Sequence, residues 1–273
     1  MTATIEHPSP STRALVVAAV VPILVIGVVV SAVLVLVAGI WGLLAGLVLT
    51  VVVAFLRARS LSRGVRAQVL GALDLRPASP DADARLVNLV DGLSATSGVP
   101  VPDLFVLDDP GANMLLVGES PDAPALVVTT GLLGALDRIQ LEGVVARAFA
   151  ELRAGGLPAS SVAVNAVARP QAALARGGAG ALTFRPVSGL LAAGYSAVAG
   201  SDRDILLDRA AVALTRYPPG LLAALEEIEK VGTSVASAQA STSHLWMADP
   251  GVAVPGMPER SPLELRIEAL RLL

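Results

Sequence analysis

Leu141-Glu142-Gly143-Val144-Val145-Ala146-Arg147-Ala148-Phe149-Ala150-Glu151-Leu152 is the stretch on which the reading of this chain turns. It lies in a helical segment spanning Ile139–Ala154 and closed by Gly155-Gly156. Apart from Arg147 and Glu151 it is largely apolar, through Val144, Val145, Ala148, Phe149 and Leu152. A helix of that kind belongs inside a domain. Arg147 and Glu151 stand four residues apart and so share one face. On a solvated surface such a pair contributes only a few tenths of a kcal/mol. The apolar surroundings favour a buried arrangement instead. Arg147 then neutralises Glu151 and, across to a second helix, Asp204, because buried carboxylates need a partner.

Upstream, three short apolar runs read as strands, Asp103–Leu107, Asn113–Val117 and Ala125–Thr129, with a turn signal at Asp108-Asp109-Pro110-Gly111. Asn113, at a strand start, reads as a backbone-bonding residue. Gly131–Leu136 reads as a short helix. Before the strands, Asp81 or Asp83 opens a helix with Leu86, Leu89, Val90 and Leu93 on one face, closed by Gly98. Downstream, residues 157–200 are small, apolar and glycine-rich, and Val187–Gly200 has the composition of a segment that dips into a membrane surface. Helical patterning returns from Asp202 and again from Pro219 to Lys230, with a last helix over Pro262–Leu272.

From Ala14 to Leu56 no residue is charged, about 43 positions against the roughly 20 that one bilayer crossing needs. Two crossings fit, Ala14–Leu36 and Ile40–Leu56, joined by a tight turn at Ala38-Gly39-Ile40-Trp41-Gly42, where Trp41 suits an interface. One long broken helix and a cleaved signal segment are the alternatives. Arg57, Arg59, Arg63 and Arg66 follow directly. Positive flanks stay cytoplasmic, so a hairpin leaves both the N-terminus and the large domain on that side.

Composition agrees with a membrane protein: 54% of residues are hydrophobic and only 3% aromatic. A formal net charge of −3 gives no basic excess for nucleic acid. There is no cysteine, hence no disulfide, thiolate metal site or cysteine nucleophile. Ser160-Ser161 and the run Arg176-Gly177-Gly178-Ala179-Gly180 lack the partners that a serine nucleophile or a phosphate loop requires.

Six stretches in order resemble the HtpX-like membrane zinc metalloproteases, relatives of the CAAX prenyl endoproteases. They are Gly98 through Val106, Asn113 through Gly118, Val128-Thr129-Thr130-Gly131-Leu132-Leu133, Leu141 through Ala146, Leu214 through Leu225, and His244-Leu245-Trp246 with the closing Pro262–Arg271. The resemblance runs from about Asp83 to Leu273. It implies an α+β, mostly helical metalloprotease-like domain with a small sheet, on an N-terminal two-helix transmembrane hairpin. The implied organisation is an N-terminal tail (1–13), the hairpin (14–56), a basic linker (57–80) and the peptidase-like domain (81–273), in which 157–200 is a candidate membrane-associated stretch.

The chain departs from the family at the chemistry. Where the family carries H-E-x-x-H, this chain reads Arg147-Ala148-Phe149-Ala150-Glu151. The resemblance thus puts Arg147 at the first ligand, Ala148 at the general base and Glu151 at the second ligand. The third ligand falls on Asp204, with Asp208 four residues on. Residue counts reach the same point independently. Zinc sites of this class need two imidazoles on one helix, and the only histidines are His7, before the apolar block, and His244. His244 reads as structural. A magnesium or calcium site from Glu151, Asp204 and Asp208 is conceivable, but Arg147 beside them argues against it.

The sequence therefore reads as a membrane-anchored, proteolytically inactive homolog with a binding or regulatory role at the cytoplasmic membrane face. It implies no cofactor and no bound metal. Its partners are the lipid bilayer and a protein or peptide ligand, captured in the former substrate cleft by strand addition to an exposed sheet edge. An active metalloendopeptidase with non-standard ligands and a membrane scaffold protein are the rival readings.

Overall fold

The computed structural model describes residues 12–61, 63–120, 122–176, 201–254 and 260–273. His7, Val187–Gly200 and most of the Arg176–Gly180 run fall outside them. The apolar block forms α1, Thr12–Leu61, whose only non-helical residue is Gly39 (φ 58°, ψ −141°). That is a left-handed φ which glycine alone adopts freely. The chain reverses there. A Cβ on Gly27 would overlap the Thr50 side chain, and one on Gly46 would overlap Ser31. Both pairs centre on the Ala38–Gly39 peptide, so the two halves of α1 lie antiparallel as a hairpin. The seam is built from small residues: Gly42, Gly46, Thr50 and Ala54 are buried at every fourth position of the second arm. Small side chains at that spacing let helix backbones approach closely. Outside the seam α1 is apolar and exposed, including Val37, Trp41 and Val48. The stretch Ala19–Leu61 is long and apolar enough to cross a bilayer.

The stretch expected as a linker is structured. α1 continues to Leu61, α2 follows at Val65–Leu70, and Leu75–Pro77 forms β1. After α3 (Ala84–Ser97) come β2 (Asp103–Leu107), β3 (Met114–Val117) and β4 (Ala125–Thr129). The sheet order is β1-β2-β4-β3, with β2 and β4 parallel and the outer pairs antiparallel. The sequence missed β1 because three residues ending in proline carry no strand periodicity. Arg76 Nη1 donates to Asp83 Oδ2 at 2.6 Å and so ties β1 to the head of α3.

β3 and β4 are buried on both faces, which is why they read as continuous apolar runs. Met114, Leu116, Leu126 and Val128 face the main core with α3 and the central helix α5, Arg138–Arg153. Leu115, Val117, Ala125 and Val127 face a second core with Val65, Val69 and Trp246. Between β4 and α5 lies α4, Thr130–Ala135. Asp137 caps α5 by accepting from Gln140 N at 2.8 Å, and Gln140 reciprocates to the Asp137 N–H. From Gly143 to Leu152 every residue of α5 is buried.

α6 (Leu157–Ala163), a π-helical turn (Val164–Ala168) and α7 (Arg169–Arg176) follow. Ala159, Val162, Ala163, Ala166 and Val167 pack with Ala19 and Leu61 at the foot of the hairpin. The described part of the candidate membrane-associated stretch therefore seats the domain on α1. α8 (Ser201–Thr215), α9 (Pro218–Val231), a 3-10 turn (Ala240–Leu245) and α10 (Leu263–Arg271) complete the chain.

The sheet has two edges, β1 and β3, and the β3 edge is covered by the chain itself. Residues just after the 3-10 turn lie along it: Leu115 bridges antiparallel to Trp246, and Met247 N donates to Met114 O at 2.8 Å. Ordering the chain's own segment there satisfies edge groups that would otherwise stay unpaired.

Candidate functional site

Arg147 and Glu151 project from one face of α5 towards α8, where Asp204 and Asp208 again stand four residues apart. Arg147 Nη2 donates to Asp204 Oδ1 at 2.5 Å, and its Nε donates to Asp208 Oδ1 at 2.9 Å. One planar fork thus spans both carboxylates, which an ammonium cannot do. All three side chains are at most 3% exposed.

Three further arginines close the site. Arg260 donates to Asp204 from Nη2 at 2.6 Å and from Nε at 3.2 Å, and from Nη1 to the Trp246 carbonyl. Arg266, on α10, donates to Asp208 from Nε at 2.7 Å and from Nη2 at 2.9 Å, and from Nη1 to Met247 O at 2.9 Å. Arg203 donates to Glu151 Oε1 at 2.7 Å. The sequence assigned Glu151 to Arg147. The structure gives it to Arg203, since the Arg147 guanidinium is committed to the two aspartates. Ala148, one residue on from Arg147, is buried among apolar neighbours in the main core.

The charges set one another's protonation. Burial alone would raise the Asp204 pKa, but the Arg260 and Arg147 guanidiniums outweigh it and hold the carboxyl well below its ordinary range. Glu151 is held low against burial by Arg203 and then Arg147. Arg147 is itself lowered, first by burial and then by the like charge of Arg266. Arg266 is raised by Asp208 despite burial. His244 is buried, with Nε2 2.8 Å from the Ser160 carbonyl. Burial, with Arg260 and Arg203 nearby, depresses its pKa to about 4 against that hydrogen bond. It is a neutral core histidine, as its place in the sequence suggested. Asn113 binds backbone, as its place at a strand start implies: its side chain bonds Met114 N, Thr233 O and both the N–H and C=O of Ala248.

Sequence reasoning missed Arg203, Arg260, Arg266 and the Ser160 carbonyl. Only Arg266 left a sign: it sits in the apolar stripe Leu263, Ile267, Leu270 of its helix.

This donor set does not fit a zinc ion. Three carboxylates face four guanidiniums, and His244 has turned to a carbonyl. Among the described residues no group of three or more His, Cys, Asp or Glu is arranged to hold a metal. What the arrangement does chemically is cross-link α5, α8, α10 and the segment through Trp246 and Met247 by buried charge.

No family model matches the chain. Curated relatives do. A protease HtpX homolog of Dictyoglomus thermophilum is 32% identical over 208 residues, 69% of this chain and 69% of that protein. The homolog of Dictyoglomus turgidum is 30% identical over 209 residues, with the same coverage of both. One from Listeria monocytogenes is 27% identical over 219 residues, 68% of this chain and 72% of the relative. Identity of that level across two thirds of both chains, with the α+β domain and the long apolar N-terminal helix described above, makes this protein a member of the HtpX protease family.

Proposed function

We propose that this protein is a membrane-anchored, non-proteolytic member of the family, with a binding or regulatory role at the cytoplasmic membrane face. The observation that carries the reading is Arg147, whose guanidinium joins Asp204 and Asp208 at the heart of the domain. In the family pattern that position holds the first metal ligand. A positive charge fixed there by the polypeptide neutralises the carboxylates that a metal would otherwise neutralise. It leaves no open coordination position and no water to activate. Ala148, at the general-base position, has no group to take a proton. The hairpin, apolar outside its seam, supplies the anchor, and Arg57, Arg59, Arg63 and Arg66 at its foot favour the cytoplasmic side.

The test is the metal content of the purified, detergent-solubilised protein by elemental mass spectrometry. A variant carrying Arg147→His, Ala148→Glu, Glu151→His and Asp204→Glu is measured beside it. The reading expects no stoichiometric metal in the native chain and no cleavage of unfolded casein. Stoichiometric zinc with casein cleavage by the native chain overturns it and favours the active endopeptidase.

A further inference from the structure

The segment on the β3 edge is held at almost every backbone polar group. Met247 N donates to Met114 O, as strand addition requires. Ala248 N and O are both bonded by the Asn113 side-chain amide, at 3.2 and 3.0 Å. The carbonyl of Trp246 accepts from Arg260 and that of Met247 from Arg266. Trp246 and Met247 are each 1% exposed. Antiparallel pairing to an edge strand, with alternate side chains buried, is how extended peptides are bound by strand addition. Here the chain supplies its own occupant. Two of the arginines that hold it also neutralise Asp204 and Asp208, so the strand and the charge cluster are one connected unit.

We propose that Trp246–Ala248 is an intramolecular strand occupying the edge where an extended apolar peptide would add, and that the buried arginine cluster is its latch. The geometry alone makes the strand an occupant. Its purpose, control of access by a peptide that is bound and not cut, rests on the function proposed above. The latch is asymmetric. Arg266 is buried within α10, whereas Arg260 precedes that helix and its side chain is 11% exposed. Arg260 is therefore the member through which the strap opens. Among the described residues the buried Trp246 Nε1–H meets no acceptor, which weakens the strap's own hold.

The test uses the full chain in detergent and a fluorescein-labelled peptide of its own sequence, Ser243–Asp249. In Arg260→Ala, amide exchange over 245–248 should rise at least tenfold while 125–129 in β4 is unchanged. The labelled peptide should bind this variant and not the native chain. Equal binding to both, or no change in exchange together with no binding, overturns the proposal. If exchange in β4 also rises, a Leu115→Cys, Trp246→Cys variant decides, since the chain has no other cysteine. The pair should form a disulfide under mild oxidation, and reduction should not slow its exchange at 245–248. Failure to form the bond overturns the proposal. Neither readout involves zinc or proteolysis, so failure here leaves the preceding reading standing, and failure of that reading leaves the strap intact.

Discussion

Arg147 Nη2 and Asp204 Oδ1 lie 2.5 Å apart in a part of the protein from which water is excluded, each residue 2% exposed. A buried ion pair is costly to form and costly to break from one side only. Arg147→Ala should therefore destabilise the domain by about 3–5 kcal/mol, because Asp204 and Asp208 each lose a partner in a dry site. Arg147→Lys should recover only part of this, since an ammonium cannot span both carboxylates. Urea unfolding of the detergent-solubilised protein checks both. A loss below about 1 kcal/mol for the alanine variant, the level of an exposed pair, would contradict the buried geometry.

Glu151→Gln should cost less, about 1.5–3 kcal/mol, the range of one hydrogen bond to a charged group. Its partner Arg203 has a side chain 22% exposed and can turn towards solvent when the carboxylate goes. The ordering of the two variants is the discriminating result. If Glu151→Gln proves as damaging as Arg147→Ala, the division of partners between Arg203 and Arg147 is wrong.

Stability should fall with acid in two stages. His244 is depressed to about 4 by burial, against an ordinary 6.5. Between those values the unfolded chain binds a proton that the folded one does not. Its contribution is therefore complete above pH 6.5 and is lost as pH falls to about 4, at most about 3 kcal/mol. Asp204 and Glu151 are depressed carboxyls, so their contribution is complete above the ordinary carboxylate range and is lost only below it. His244→Gln should flatten the upper stage and leave the lower one. A urea midpoint series from pH 8 to pH 3 on both proteins separates the stages.

A Gly27→Cys, Thr50→Cys variant should cross-link within one chain under copper-phenanthroline, because these residues meet in the hairpin seam. Gly46→Leu, which drives a side chain into Ser31, should reduce the yield several-fold. A single continuous helix would place positions 27 and 50 roughly 35 Å apart and give no intramolecular product. Gel mobility after oxidation in membranes reads the outcome.

Much of this architecture is legible in the sequence. The charge-free run from Ala14 gives an apolar helical anchor because bilayer thickness fixes length. Glycine in its middle permits the reversal. The continuous apolar runs of β3 and β4, the apolar α5 and the stripe of α3 follow from local patterning. The π-helical turn and the three-residue β1 did not, because neither leaves a periodic signature. Nor did Arg260, which precedes a helix in a stretch without pattern.

The sequence by itself determined that its two histidines, His7 and His244, do not lie on one helix, and that Arg147 and Glu151 share a helix face. Position along the chain and the 3.6-residue repeat are enough for both. Only the tertiary structure decided which two carboxylates Arg147 serves, that Arg203, Arg260 and Arg266 complete the cluster, and that the β3 edge is filled by the chain's own Trp246–Ala248. Those outcomes depend on which charges arrive together from α5, α8 and α10, far apart in the chain. Burial then requires every one of them to find a partner there.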